Sequence, residues 1–373
     1  MLAAIQPPAM RGTVPVFPEI ANTNQSSPDD LAQQGGYTGL AHLQETVEAA
    51  KAFLPQFHAV ARVNAQAGLY IPFKPSWADK LIREHKGVPQ AILAKIGSQA
   101  FAKRRPADMA PFLNYVQTRY ETGQPLHIRT VVGPVKNVQR SGAAQSPDLA
   151  EYLSFVQLAR LMAAIAPLYP HGIKVQMVPD DQRASIANHF PASYSRRYIA
   201  GLQALAQRLS FDSWLHVENG QSALYQHYGV RGYYNAAQEE LLSWQARDPA
   251  AFATRWEKAC AKARENLVND NGVPQRDDES VHASAWRYLI AHRAEVLSGM
   301  WSPQDALPLI YANHPGNFQI YTMGPGGPKG TKLPWQIVLP ESLLSQYPQE
   351  GPMTHRGMPD CNHHELRIAV AMQ

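Results

Sequence analysis

The chain has 373 residues, 45% of them hydrophobic and 17% charged, with a formal net charge of +4; that is enough to bury a sizeable core in one large α/β domain or two smaller ones. Its basic clusters are short, Lys103-Arg104-Arg105 and Arg196-Arg197, whereas a nucleic-acid partner asks for a sustained basic face, so no nucleic-acid role is expected. No apolar run reaches the ~18 residues of a membrane span, and two cysteines, Cys260 and Cys361, make no disulfide framework; a soluble, cytoplasmic protein with reduced thiols is expected.

Residues 1–35, rich in Pro, Asn and Ser, lack the basic start and unbroken apolar core of a secretion signal and read as a loop-rich lead-in. A helical region, 36–122, follows. Its first helix, His42–Phe57, places Leu43, Val47, Ala50, Phe53 and Leu54 on one side; further helices are expected over Trp77–Glu84, Pro89–Phe101 and Ala107–Glu121, with Gly123 as a stop. Residues 123–345 change character. Leu126–Val132 is apolar and β-branched, and Gly133-Pro134 ends it in a loop running to Ser146. Ser146 and Pro147 suit the start of a long helix, with Asp148 and Glu151 near the positive end of its dipole. A strand at Ile173–Val178, a loop at Pro179–Arg183, a helix at Ser195–Leu209 and a strand at Phe211–Val217 complete a strand-helix-strand-helix-strand alternation. That order predicts an α/β fold, a Rossmann-like, mostly parallel sheet flanked by helices.

A helical insertion is expected at 235–300, with helices over Asn235–Gln245, Pro249–Leu267 and Glu279–Met300. C-terminal strands then fall at Leu307–Ala312, Phe318–Met323 and Trp335–Leu339, and a tail at 346–373. Ligands in parallel sheets bind beyond the carboxyl ends of strands. Two segments are therefore singled out. Gly133–Arg140 matches neither phosphate-loop nor dinucleotide patterns, yet it collects Lys136, Asn137 and Arg140, which could hold a carboxylate or phosphate beside a helix N-terminus; a solvated loop is the plainer alternative. Pro179–Arg183 offers Asp180, Asp181 and Arg183; adjacent carboxylates suit an amine, a ribose diol or a proton in transit, and the same residues suit a plain turn.

His314 follows a strand and can serve as acid or base, or simply as a structural histidine. The tail residues His355, Cys361, His363, His364 and Glu365 fit no zinc spacing, so no metal is expected. Aromatics concentrate between Tyr194 and Trp244 and can build core, line a pocket, or face a sulfonium cation. Neither a nucleophile elbow nor a kinase motif set is present, which disfavours hydrolase and kinase readings.

In order and spacing these segments resemble the pyoverdine/dityrosine biosynthesis family, which includes the isocyanide synthases, over roughly residues 125–340. Val132-Gly133-Pro134-Val135-Lys136-Asn137 stands where the family has a Phe-Pro-Ala-Lys-Ser-x-Asn-like loop. Pro147-Asp148-Leu149-Ala150-Glu151 matches its Pro-Asp-x-x-Glu helix start, and Tyr169-Pro170-His171-Gly172 its Tyr-x-x-Gly turn. Pro179–Arg183 replaces a Ser-Asp-Gly-Arg strand end, Asn313-His314-Pro315 an Ile-His-Pro element, and Leu333-Pro334-Trp335-Gln336 a Thr-Pro-Trp-His element.

The resemblance implies a cytoplasmic secondary-metabolite enzyme that converts an amine to an isocyanide, with ribulose 5-phosphate as the carbon donor. Lys136 and Arg140 would hold phosphate or assist carbonyl chemistry. Asp180 or Asp181, together with His314, would move protons. Asn137, Arg183, Tyr194, Trp335 and Gln336 would bind the amino-acid-derived substrate. Where the chain departs from the motifs, an alternative opens: an enzyme of the same fold using S-adenosylmethionine, with acidic residues on the ribose and aromatics on the sulfonium, making a non-proteinogenic amino acid by cyclisation or group transfer. Expected partners are a small-molecule substrate and downstream biosynthetic enzymes, with a homodimer as one arrangement; no nucleic-acid or membrane partner is expected.

Overall fold

A computed structural model describes residues 74, 76–136, 145–188, 190–221, 225, 229–265, 278–312, 314, 316–322 and 333–336. The helix expected at His42–Phe57, the strand residues 337–339, Asn137, Arg140 and the tail at 346–373 lie outside them.

The elements in chain order are α1 (Ser76–Glu84), α2 (Val88–Ile96), β1 (Ala102–Arg104), α3 (Ala110–Glu121), β2 (Leu126–Val132), α4 (Leu149–Ile165), β3 (Ile173–Pro179), α5 (Asp181–Asn188), α6 (Ala192–Arg208), β4 (Leu215–Val217), α7 (Gly229–Arg247), α8 (Pro249–Glu265), α9 (Asp278–Leu297), β5 (Leu307–Ile310) and β6 (Phe318–Ile320). The six strands form one sheet in the order β1-β6-β5-β2-β3-β4. All neighbours run parallel except β1, which pairs antiparallel with β6. This is the expected mixed α/β architecture, a mostly parallel sheet flanked by helices.

Central position explains composition. Leu126, Ile128 and Thr130 of β2 are sealed from solvent, as is all of β5, which is how parallel strands covered on both faces read in sequence. Helices α1 to α4 and α6 share one apolar core with the sheet, whereas α7, α8 and α9 pack a second core around Trp256, Phe252 and Leu289. No helix among the described residues is long and apolar enough to cross a membrane.

Several local expectations need correction. The helix expected to reach Phe101 stops at Ile96, and Gly97 caps it while accepting a hydrogen bond from Arg105 Nε at 2.6 Å. The chain then forms β1, a strand in a stretch read as helical; a three-residue edge strand with two exposed charged residues carries too little alternation to be seen. The strand expected over Phe211–Val217 begins only at Leu215, because Phe211–Trp214 makes a hydrogen-bonded turn. The segment Pro179–Arg183 is not a loop, since α5 opens at Asp181 directly after β3. Trp335 and Gln336, expected to open a strand, belong instead to a single 3-10 turn, Pro334–Gln336.

The start of α4 also shifts, from Ser146 to Asp148. Asp148 Oδ1 accepts the Ala150 N–H at 2.9 Å, and Glu151 Oε2 accepts the Asp148 N–H at 2.8 Å, a reciprocal capping box. Replacing Asp148 with Ala removes the cap and one acceptor of Lys136, so a loss of about 1–2 kcal/mol in urea unfolding is expected, with Asp148→Asn retaining most of the cap.

Candidate active site

The chain leaves β2 through α4 to β3 on one side and returns through β5 to the other side of β2. The strand order therefore reverses between β2 and β5, and a crevice outside their carboxyl ends is where such sheets bind ligands. Lys136 sits four residues beyond β2 and is completely enclosed. Its Nζ donates to Glu151 Oε1 and Oε2, both at 2.7 Å, and to the Pro334 carbonyl at 3.0 Å, and lies 3.0 Å from Asp148 Oδ1. Four acceptors share three protons. The backbone is tied down as well: Lys136 N–H donates to Gln145 Oε1 at 2.8 Å, and Gln145 Nε2 donates back to the Lys136 carbonyl at 3.0 Å.

Glu151 is the group this arrangement tunes. Its burial pushes the carboxyl up to about 7, against the opposing pull of Lys136. The Tyr198 hydroxyl, from α6, donates to Glu151 Oε1 at 2.8 Å. Burial and the neighbouring Glu151 charge raise that phenol well above its usual value. Glu151, Tyr198 and Ser154 line a cleft of about 10 Å³, water-sized as it stands, closed by Val132, Pro334 and Trp335. Trp335 packs over Gly133, where a Cβ would run into the indole ring; only glycine permits that approach. The indole also meets the ring of Tyr311, past the end of β5, at 6.3 Å.

A second group gathers beyond β3 and β4. Asp180 Oδ2 pairs with Arg183, whose guanidinium also lies 3.7 Å from Glu295 Oε2 on α9. Gln221 Nε2 donates to Glu295 Oε1 at 3.2 Å, and the Gln221 N–H donates to Asp181 Oδ1 at 2.6 Å. Burial raises the Asp181 carboxyl and lowers the His292 imidazole to about 4, so His292 is neutral at pH 7. His314 stacks on Trp301 at 5.2 Å, with its Nδ1 2.9 Å from the Asn317 amide nitrogen. Burial lowers its imidazole too, and Glu295 raises it.

The residues singled out from sequence thus divide. Lys136 and Trp335 belong to the cleft region; Asp180, Asp181 and Arg183 belong to the second group, with His314 at its margin. Tyr194 is half-buried against Val135 and Phe190, beside the Lys136 loop. Gln336 lies in the 3-10 turn that carries Trp335.

Sequence reasoning missed Glu151, Tyr198 and Glu295 as site residues. For Glu151 the signal was present: a helix-start glutamate three residues after an aspartate turns toward the segment before the helix, where Lys136 lies. Tyr198 hides in the buried stripe Ser195, Tyr198, Ile199, Leu202 of α6. Glu295 interrupts the buried stripe of α9 after Ala291 and Ala294, and a carboxylate in a buried stripe asks for a partner.

Among the described residues no group of acidic, His or Cys side chains could hold a metal ion. No protein-family model matches the sequence, and no curated protein matches it. Among solved structures the chain is similar to the PvcA protein from Pseudomonas aeruginosa, at 16% identity and a TM-score of 0.47, over 65% of this chain and 88% of that one. It is also similar to a cyclodipeptide synthase from Bacillus thermoamylovorans, at 13% identity and a TM-score of 0.29, over 53% of this chain and 79% of that one.

Proposed function

We propose that this chain is a biosynthetic enzyme that works on an amino-acid-derived small molecule in the cleft at the β2–β5 switch point, with Glu151 as its acid–base group. The observation that carries the reading is the Lys136–Glu151–Tyr198 constellation. A carboxyl pushed up to about 7 is protonated and ionised in comparable amounts near neutral pH, the condition under which a general acid–base group is most effective. Glu151 and Tyr198 face the cleft, whereas Lys136 lies behind them with no exposed surface. In this reading Lys136 is a positioning residue that fixes Glu151, and Glu151 with Tyr198 takes the proton-handling part expected of Asp180, Asp181 and His314.

The reaction proposed is the one that the sequence resemblance implies, conversion of a substrate amine to an isocyanide with a sugar phosphate as carbon donor. The amine must lose protons along that path, and a carboxylate near neutrality in a partly enclosed cleft can accept them. Lys136 could act on the sugar carbonyl only after giving a proton to Glu151, 2.7 Å away. The S-adenosylmethionine alternative would call on Asp180 and Asp181 for the ribose, and Arg183 and the Gln221 N–H already engage them.

The test is a thermal-shift screen with ribulose 5-phosphate, amino acids and S-adenosylmethionine at millimolar levels. A ligand that binds the native state at 100 times its Kd stabilises by about 2.7 kcal/mol, a rise of several degrees. Stabilisation by the sugar phosphate, alone or with an amino acid, is expected. A rise with S-adenosylmethionine alone would replace the isocyanide reading with the sulfonium one.

A further inference from the structure

The cleft in front of Glu151 is too small for the molecules it would have to admit. Its volume of about 10 Å³ is the space of a single water, whereas small-molecule sites run to roughly 300–1,000 Å³. A substrate reaches Glu151 only if a wall moves. The lining residues of β2, α4 and α6 are all buried, held between the sheet and two seventeen-residue helices. Trp335 is the one lining residue that is partly exposed.

Trp335 rides on the 3-10 turn Pro334–Gln336, and that turn can lift without stranding a buried group. The indole lies over Gly133, where no side chain opposes it, and meets the Tyr311 ring edge-on at 6.3 Å. The turn is tied to the interior by the hydrogen bond from Lys136 Nζ to the Pro334 carbonyl, 3.0 Å long. That bond is the spare one. With the turn lifted, Glu151 Oε1, Glu151 Oε2 and Asp148 Oδ1 remain as acceptors, one for each ammonium proton. The Pro334 carbonyl passes to water, so it is not left buried and unpaired. Moving α4 instead would pull Glu151 off both Lys136 and the Tyr198 hydroxyl, breaking bonds of 2.7 and 2.8 Å.

We infer that Trp335 is the gate of the cleft: its turn swings outward to admit the substrate and closes again over Glu151, with the bond between Lys136 and the Pro334 carbonyl as its latch. The inference rests on the reading of the cleft as a substrate site, but the opening belongs to the empty chain and is measured without a substrate. Gly133 sets the closed position. Its φ lies outside the left-handed range, so alanine can adopt the same backbone, yet the added Cβ would run into the indole ring. Gly133→Ala therefore props the gate open.

Acetic anhydride, too large for the closed cleft, reports the opening through Lys136, which has no exposed surface. Brief pulses on the full chain at pH 8 are read by peptide mass spectrometry, with the exposed Lys174 as reference. Adding 1 M urea multiplies the globally unfolded fraction of a chain this size by about tenfold or more, because the response scales with the surface exposed; a local opening exposes little and hardly responds. Acetylation of Lys136 in the parent is expected to change less than twofold between 0 and 1 M urea. It should rise at least tenfold in Gly133→Ala and in Trp335→Ala. If Trp335→Ala fails to fold, Gly133→Ala and the urea series on the parent decide. The gate is overturned if acetylation of Lys136 in the parent climbs about tenfold with 1 M urea, or if both variants label within twofold of the parent. Urea-independent labelling in a chain that neither ribulose 5-phosphate nor amino acids stabilise would support the gate and count against the substrate reading alone.

Discussion

Replacing Lys136 with methionine is expected to lower the free energy of unfolding by about 3–5 kcal/mol at pH 8, the usual cost of stranding a buried charge by deleting its partner. The methionine fills the lysine's volume, so little of the loss is packing. What remains is Glu151, with no counter-charge and with the negative, partly exposed Asp148 beside it. The loss should shrink toward pH 5, where Glu151 can take a proton and enter the core uncharged. Adding Glu151→Gln to Lys136→Met should recover most of it, because removing both charges leaves no orphan. Urea unfolding of the single and double variants at the two pH values measures all of this. A single variant that loses under 1 kcal/mol at pH 8 would mean that Lys136 is not the buried counter-charge described here.

Glu151→Gln alone carries the second large effect, on pH dependence and on turnover. The folded-state carboxyl sits near 7 against an ordinary value of 4.5. Between those limits the folded protein binds more protons than the unfolded chain, so stability falls as pH rises from 4.5 through about 7. Its contribution is fully present below 4.5 and gone above 7. Unfolding midpoints of the parent should therefore decline relative to those of Glu151→Gln across that window and run level with them above it. In turnover, the variant should lose about 100- to 10,000-fold, the range that general acid–base catalysis supplies. The parent's profile should bend near pH 7, and the residual activity of the variant should not. A variant with parental turnover would remove Glu151 from the chemistry, whatever its place in the fold.

The α/β alternation was legible because β2 and β3 are long enough to show apolar runs, and because α4 carries a seventeen-residue helical segment between them. The β1 edge was not: β1 has three residues, below the length at which alternation speaks, and of the strand expected over Phe211–Val217 only the last three residues form β4. Lys136, Asp180 and Asp181 could be singled out because polar residues at strand ends stand out against apolar neighbours. What each one touches depends on residues far along the chain. Pro334 is 198 positions from Lys136, and Glu295 is 74 from Gln221; no local pattern announces such meetings. Glu151 was visible for its role at a helix start, and that same hydrogen bond concealed its second role as the partner of a buried ammonium.

The contact between Lys136 and Pro334 also orders events during synthesis. A chain made from its N-terminus releases β2, α4, β3 and α6 first, so Lys136, Glu151 and Tyr198 can find one another while the later helices are still being translated. The wall made by Pro334 and Trp335 arrives last, over a glycine that leaves it space to settle. A ribosome-bound fragment ending before residue 333 would thus carry the acid–base trio with its cover missing, and the cleft is finished only once translation has passed Trp335.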